Sequence, residues 1–212
     1  MPSPEFIAQR IAQWTPNSPK GPVTLEIYPT LRCNLNCSFC DTTDRHRPPV
    51  NELTTKEWIK IIDDAYEYGV QQAFVLGGGE PTIRSDIIDI LSHIKQRNMR
   101  GMLTTNGTLL SKERQQALLD MHWDEIHFSI DGATPEVHDA LRGQSNTFKK
   151  AIQAACALHV QKQKRQQQTP LIAFHFVLTN QNFHQLSDMV HLARAIGVQR
   201  IDYDALIAYR PE

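Results

Sequence analysis

Six strand-like runs, five of them leading into a helical stretch, predict an α/β protein built on a mostly parallel sheet. Two further observations support that class. Parallel neighbours need long crossovers, and the helical stretches supply them. The glycine-rich and polar turns also fall after strands, where parallel α/β folds bind their ligands. Doubly wound and barrel arrangements both fit this order.

Residues 1–22 read as a polar N-terminal extension, broken by Pro2, Pro4, Pro16, Pro19 and Pro22. Phe6, Ile7, Ile11 and Trp14 are spaced for one short amphipathic helix within it. The core domain is expected over residues 23–212. Val23–Tyr28 alternates as a strand does and runs into a cysteine-rich loop. Thr54 opens a helix, with Glu57 completing a capping box. Trp58, Ile61, Ile62 and Ala65 are its apolar stripe, and Gly69 suits its end. Ala73–Leu76 is the second strand, followed by a helix with Ile87, Ile90, Leu91 and Ile94 on one face. Gly101–Thr104 is the third, followed by a helix opening at Ser111. Glu125–Ile130 is the fourth, followed by helical segments to about Gln161. Leu171–Leu178 is the fifth, followed by a helix with Leu186, Met189, Val190, Ala193 and Ile196. Arg200–Leu206 is the sixth. The low-complexity run Gln161–Gln168 reads as a solvated helix end plus loop.

The 212 residues suffice for one fair-sized core, and no linker divides them. A composition 41% hydrophobic and 21% charged, with formal net charge −1, points to no nucleic-acid or membrane partner. No run reaches the roughly 18 apolar residues of a membrane span. The N-terminus lacks the basic-then-apolar order of a signal peptide. The expected location is cytoplasmic, where clustered cysteines hold metal more often than they form disulfides.

Four unusual turns follow the first four strands: the cysteine loop, Gly77–Thr82, Thr105–Thr108 and Ser129–Gly132. Each has an ordinary reading. Three glycines after a strand make a tight turn, and Asn106-Gly107 and Asp131-Gly132 are common turn pairs. Gly77–Gly79 does not match the dinucleotide fingerprint. Four such turns on one rim nevertheless favour a pocket.

The loop C-N-L-N-C-S-F-C places Cys33, Cys37 and Cys40 at C-x3-C-x2-C spacing. Three thiols so close can converge on one centre. A structural zinc ion wants four protein ligands, and His46 is a candidate for the fourth. A cubane iron–sulfur cluster also takes thiolates, and three would leave one iron open. Cys156 shares an apolar helix face with Phe148 and Ile152 and reads as a buried thiol. His127 and His175 lie within strands and read as core or barrel-lining groups. Trp58 and Trp123 read as core. Tyr28 suits either a substrate-side or a packing role.

The loop resembles the C-x3-C-x-aromatic-C signature of the radical S-adenosylmethionine (SAM) superfamily, with Phe39 at the aromatic position. G-G-G-E-P resembles that family's second motif and S-I-D-G its sugar-contacting motif. The resemblance spans about Val23 to Leu206. It implies a partial (β/α)6 TIM-like barrel holding a [4Fe-4S] cluster on Cys33, Cys37 and Cys40. SAM would then complete the open iron. Reductive cleavage would give a 5′-deoxyadenosyl radical that takes hydrogen from a substrate. By the same resemblance, Gly78, Gly79 and Glu80 meet the methionine ammonium, and Ser129 and Asp131 meet the ribose or carboxylate. Arg142 pairs with the SAM carboxylate, against the plain alternative of a solvated helix residue. Thr105 and Asn106 form pocket wall, and Phe39 shields the cluster. Asn182 resembles a recurrent family position.

The segments S-I-D-G-A-T-P-E-V-H-D-A-L-R-G and L-T-N-Q-N-F resemble the subgroup carrying a C-terminal SPASM or twitch extension. Cys156 is the only cysteine left over, so the chain is expected to be a core without that extension, whether a fragment or a short member. The resemblance implies a reduced ferredoxin or flavodoxin as electron donor. It implies a substrate that is a peptide, a protein or a cofactor precursor. Three rival readings remain: a zinc-stabilised binding module, an electron carrier that never meets SAM, and a barrel enzyme whose glycines cradle phosphate.

Overall fold

The computed structural model describes residues 3–16, 21–40 and 51–206. Helix α1 (Pro4–Ala12) precedes strand β1 (Thr24–Ile27), and five helix-bearing crossovers follow. They run α2 (Thr55–Glu67), β2 (Gln72–Val75), α3 (Ile87–Gln96), β3 (Arg100–Thr105), α4 (Lys112–Asp120), β4 (Glu125–Ser129), α5 (Pro135–Arg142), α6 (Thr147–Lys164), β5 (Leu171–Leu178), α7 (Leu186–Ile196) and β6 (Arg200–Ala205). Single 3-10 turns at Pro81–Ile83 and Phe183–Gln185 lead into α3 and α7.

All five strand pairings are parallel, and the spatial order β1-β2-β3-β4-β5-β6 follows the sequence. A doubly wound sheet reverses its strand order at a switch point. No reversal occurs here, so the sheet winds one way, as a barrel does. Among the described residues β1 and β6 do not pair, and the barrel stays open on one side.

Register explains the two faces. Side chains alternate along each strand, and parallel partners share a face. Ala73, Val75, Leu103, Ile126, Phe128, Ile172, Phe174 and Phe176 therefore point the same way, and all lie buried against the helices. Ile62, Ile90, Leu91, Ile94, Leu118, Leu158 and Met189 meet them from the helical side. Each such residue gains roughly 1.5–3 kcal/mol from burial. Trp123 is fully buried and its indole N–H donates to the Glu125 carbonyl at 2.8 Å.

The opposite face lines the open barrel and is polar. Near the strand amino ends, the Glu125 carboxylate receives Arg100 and Arg200, and His127 lies 2.6 Å from it. Burial works against the charged Glu125. The hydrogen bond and charge of His127, with both arginines, nevertheless hold its pKa at about 2. Arg200 also reaches Asp202 at 3.0 Å. The carboxylates of Glu125 and Asp202 thus meet the guanidinium groups of Arg100 and Arg200 within one network.

The helix ends follow the sequence signals. Thr54 and Glu57 form the expected capping box, and Gly69 takes φ +83° just past α2. Ser111 caps α4. Helix α1 forms but ends at Ala12, short of Trp14; none of its residues is buried, and Ile11 and Trp14 face solvent. Arg10 anchors it, donating to the carbonyls of Gly21, Pro22, Tyr68 and Gly69. Trp58 is only partly buried, at the margin of the core. Cys156 is half-buried.

The stretch Gln161–Gln168 is a helix end plus loop and is mostly exposed or half-buried, with one exception. Helix α6 continues to Lys164, and Lys162 is buried, its ammonium donating to the carbonyls of Pro170 (3.0 Å) and Gln168 (3.4 Å). Composition alone marks lysine as a surface residue. Here two main-chain acceptors replace the water it would otherwise bind.

Candidate active site

At the carboxyl ends of the strands, one cavity of about 220 Å³ collects nearly every residue the sequence singles out. Cys33, Cys37, Phe39, Cys40, Gly78, Gly79, Glu80, Thr105, Asn106, Ser129 and Arg142 all line it. Asp131 does not. It lies fully buried behind the wall. His175, Thr104, Val177, Leu35 and Gly77 complete the lining.

The cysteine loop is held from two sides. On one side, the backbone N–H groups of Asn36 and Ser38 donate to the carbonyls of Arg142 (3.1 Å) and Leu141 (2.9 Å) at the end of α5. Gly143 follows with φ +66°, and a Cβ there would lie 2.1 Å from the Asn36 oxygen. Only glycine meets both demands. On the other side, Gly79 N–H donates to Thr30 O and Glu80 N–H to Arg32 O, at 2.9 and 2.8 Å. A Cβ on Gly79 would sit 2.0 Å from Arg32 O. The glycine turn thus packs backbone to backbone against the segment that enters the cysteine loop.

Two side chains complete the junction. The Glu80 Oε1 atom accepts from Thr82 N–H (3.0 Å), the Thr82 hydroxyl (2.5 Å) and the Thr105 hydroxyl (2.6 Å). Its Oε2 accepts from Asn106 N–H at 2.7 Å. Each carboxylate oxygen carries two lone pairs, so Oε2, with one donor, keeps capacity for one more. Asn34 and Asn106 bond each other at 3.0 Å, and both bond the Thr108 hydroxyl. Sequence reasoning passed over Asn34, although it stands inside the quoted loop.

Arg142 is buried and not a solvated helix residue. Its Nη2 meets Asp131 Oδ2 at 2.5 Å, its Nη1 approaches Cys37 Sγ at 3.7 Å, and its guanidinium lies 5.5 Å from the Phe39 ring centre. Asp131 is fixed in turn. Its Oδ1 accepts from Val177 N–H at 2.8 Å, and its own N–H donates to His138 Nδ1 at 3.1 Å. Burial first, and then the neighbouring Arg142 charge, push His138 down to about 3, so it stays neutral as that acceptor. Asn182 is wholly buried and donates to the carbonyls of Asp131 and Val177. His175 faces the cavity and pairs with Asp204 at 2.6 Å. Its barrel-lining position agrees with the strand pattern.

Burial pushes the Cys33 and Cys37 thiols up, and Arg142 pulls Cys37 part of the way back. Cys37 and Cys40 add to the rise at Cys33, and Cys40 adds to that at Cys37. Yet among the described residues no three His, Cys, Asp or Glu side chains gather about one ion-sized point. A zinc ion draws thiolates to about 2.3 Å from itself. A four-iron cubane offers a separate iron to each thiolate and keeps them further apart. Cys33, Cys37 and Cys40 line one cavity, which a cluster bound through all three requires. His46, the fourth ligand of the zinc reading, lies outside the described residues. No described helix is long and apolar enough to cross a membrane.

Comparison with known proteins agrees with this geometry. The pattern of the radical SAM superfamily matches residues 27–193. The PqqA peptide cyclase of Bradyrhizobium diazoefficiens is 31% identical over 180 residues, 85% of this chain and 45% of that protein. The AdoMet-dependent heme synthase of Methanosarcina barkeri is 37% identical over 123 residues, 58% of this chain and 35% of that protein. The crystal structure of Streptococcus suis SuiB bound to S-adenosylmethionine superimposes with a TM-score of 0.80 at 22% identity, covering 98% of this chain and 45% of that one. That likeness shows the fold. The chain spans less than half the length of each of these relatives.

Proposed function

The chain belongs to the radical SAM superfamily, and from that premise we propose that it carries out SAM-dependent hydrogen abstraction on a peptide. Cys33, Cys37 and Cys40 would hold a [4Fe-4S] cluster, with SAM beside it. Cluster and SAM together supply reductive cleavage of the sulfonium, chemistry that belongs to the cofactors. The chain's own residues bind, orient and exclude water.

The observation that carries this reading is the convergence of three thiols, a glycine turn and the ends of β3 and β4 on one cavity. Gly78 and Gly79 let main chain approach a ligand closely. Glu80 Oε2, with one acceptor site in hand, suits an ammonium. Ser129 lines the cavity and would meet a ribose hydroxyl or carboxylate of SAM, and Arg142 lines it as a buried cation. Asp131 would act on SAM only through Arg142, since it does not reach the cavity. Phe39 lies 5.5 Å from the guanidinium and would shield a cluster held on the three thiols. A reduced ferredoxin or flavodoxin is the proposed electron donor.

The peptide reading rests on the relationship to the PqqA peptide cyclase, which extends over most of this chain. A cofactor precursor is the second reading, favoured by the higher identity to the heme synthase over a shorter stretch.

The test is anaerobic reconstitution with iron and sulfide, then SAM and dithionite, with 5′-deoxyadenosine as readout. Wild type should release the nucleoside and Cys37→Ala should not. A brown, cluster-loaded protein that leaves SAM intact would favour the electron-carrier reading. Zinc with no brown species would overturn the proposal.

A further inference from the structure

Arg142 is not placed as a simple SAM-carboxylate partner would be. It is wedged between a buried carboxylate and a cysteine of the loop, and its Nε is buried with no hydrogen-bond partner. We propose that the Asp131–Arg142 pair is a charge setting on the cluster, acting through Cys37 to fix its reduction potential. The inference rests on the assignment of the cluster to Cys33, Cys37 and Cys40 above.

Neither member is free to turn away. The Arg142 carbonyl accepts from Asn36 N–H, so the loop and the arginine share one backbone contact. Asp131 is fully buried and is held through its N–H, its carbonyl and its Oδ1 by His138, Asn182 and Val177. The guanidinium therefore meets Cys37 Sγ from a fixed direction. Its Nη1 is a charged donor to sulfur at 3.7 Å. In a site shielded from water such a contact is strengthened.

Cluster potentials depend on net charge, on hydrogen bonds to the sulfurs and on exposure. Reduction adds a negative charge to the cluster. A guanidinium beside a ligand sulfur stabilises that charge and raises the potential. Asp131 opposes it and moderates the effect. The two residues should thus act in opposite directions, although they touch and share one wall. A structural role predicts that losing either does the same damage. A role confined to the SAM carboxylate predicts no effect while SAM is absent.

The experiment is a reductive titration of the reconstituted chain without SAM, followed by electron paramagnetic resonance of the reduced cluster. Arg142→Gln should shift the midpoint to a more negative potential. Asp131→Asn should shift it to a more positive one, because the guanidinium charge is then unopposed. Arg142→Lys keeps the charge without the planar fork and should fall between Gln and wild type. Should Asp131→Asn fail to fold, the two variants at 142 decide: a Lys midpoint above that of Gln supports the inference, and equal midpoints overturn it. Shifts of the same sign at 131 and 142 overturn it, as does a Gln midpoint equal to wild type with normal iron content. A wild-type chain that assembles no [4Fe-4S] cluster overturns the assignment of the cysteine loop, and this inference with it.

Discussion

The two ends of the barrel interior use polar residues in opposite ways. At the amino ends of the strands, Glu125, His127, Arg100, Arg200 and Asp202 are bonded to one another and leave little for a ligand. At the carboxyl ends, the second oxygen of Glu80 and the Nε of Arg142 keep bonding capacity. Both ends are polar and substantially buried, so burial alone would not separate floor from site. An unpartnered atom would not either, since Gln72 Oε1 is buried without a partner at the amino ends. The kinds of side chain do: three thiols and a glycine turn line the cavity at the carboxyl ends.

Perturbing each end should therefore give different failures. The largest effect is expected from Cys37→Ala, which should abolish cluster assembly as read by iron content and visible absorption. Thermal unfolding of the metal-free chain should barely change. Next is Glu125→Gln at the floor. The carboxylate pKa falls from 4.5 to about 2 on folding, so its stabilisation is present above the unfolded value and fades as pH drops from about 4.5 towards 2. At neutral pH the substitution should cost about 3 kcal/mol in denaturant unfolding, and the gap from wild type should close through that acidic window. Cluster content of the folded fraction should stay normal. An unchanged gap at low pH would show that the cost is packing and not charge.

Gly79→Ala should be smaller in stability but should spread to the site. Its Cβ would press on Arg32 O, so the turn must retreat, at roughly 1–3 kcal/mol, with reduced cluster occupancy. Full occupancy would mean that the loop does not depend on that contact. Smallest is Asn34→Ala, which removes hydrogen bonds to Asn106 and Thr108 at roughly 1 kcal/mol. It should slow cluster assembly without preventing it.

The six strands, the capping box at Thr54 and the rim motifs were legible because each is a local pattern: alternation, a side-chain cap, a glycine turn. The winding direction was not, since doubly wound and barrel sheets share the same local signals. Strand order decided it. The floor network escaped for a related reason. Arg100, Glu125 and Arg200 are far apart in sequence and meet only through register. The same holds for Arg142 and Cys37, one on a helix and one in a loop. Their sequence spacing carries no sign that they touch. The motif resemblance assigned both Ser129 and Asp131 to the ligand, and only Ser129 lines the cavity. Lys162 was misread because composition sees a charge and not the two carbonyls that bind it.

The outer margins of β1 and β6 end the sheet among the described residues. Each margin carries a row of main-chain N–H and C=O groups with no neighbouring strand in that sheet. Such a row is a template on which another strand can add.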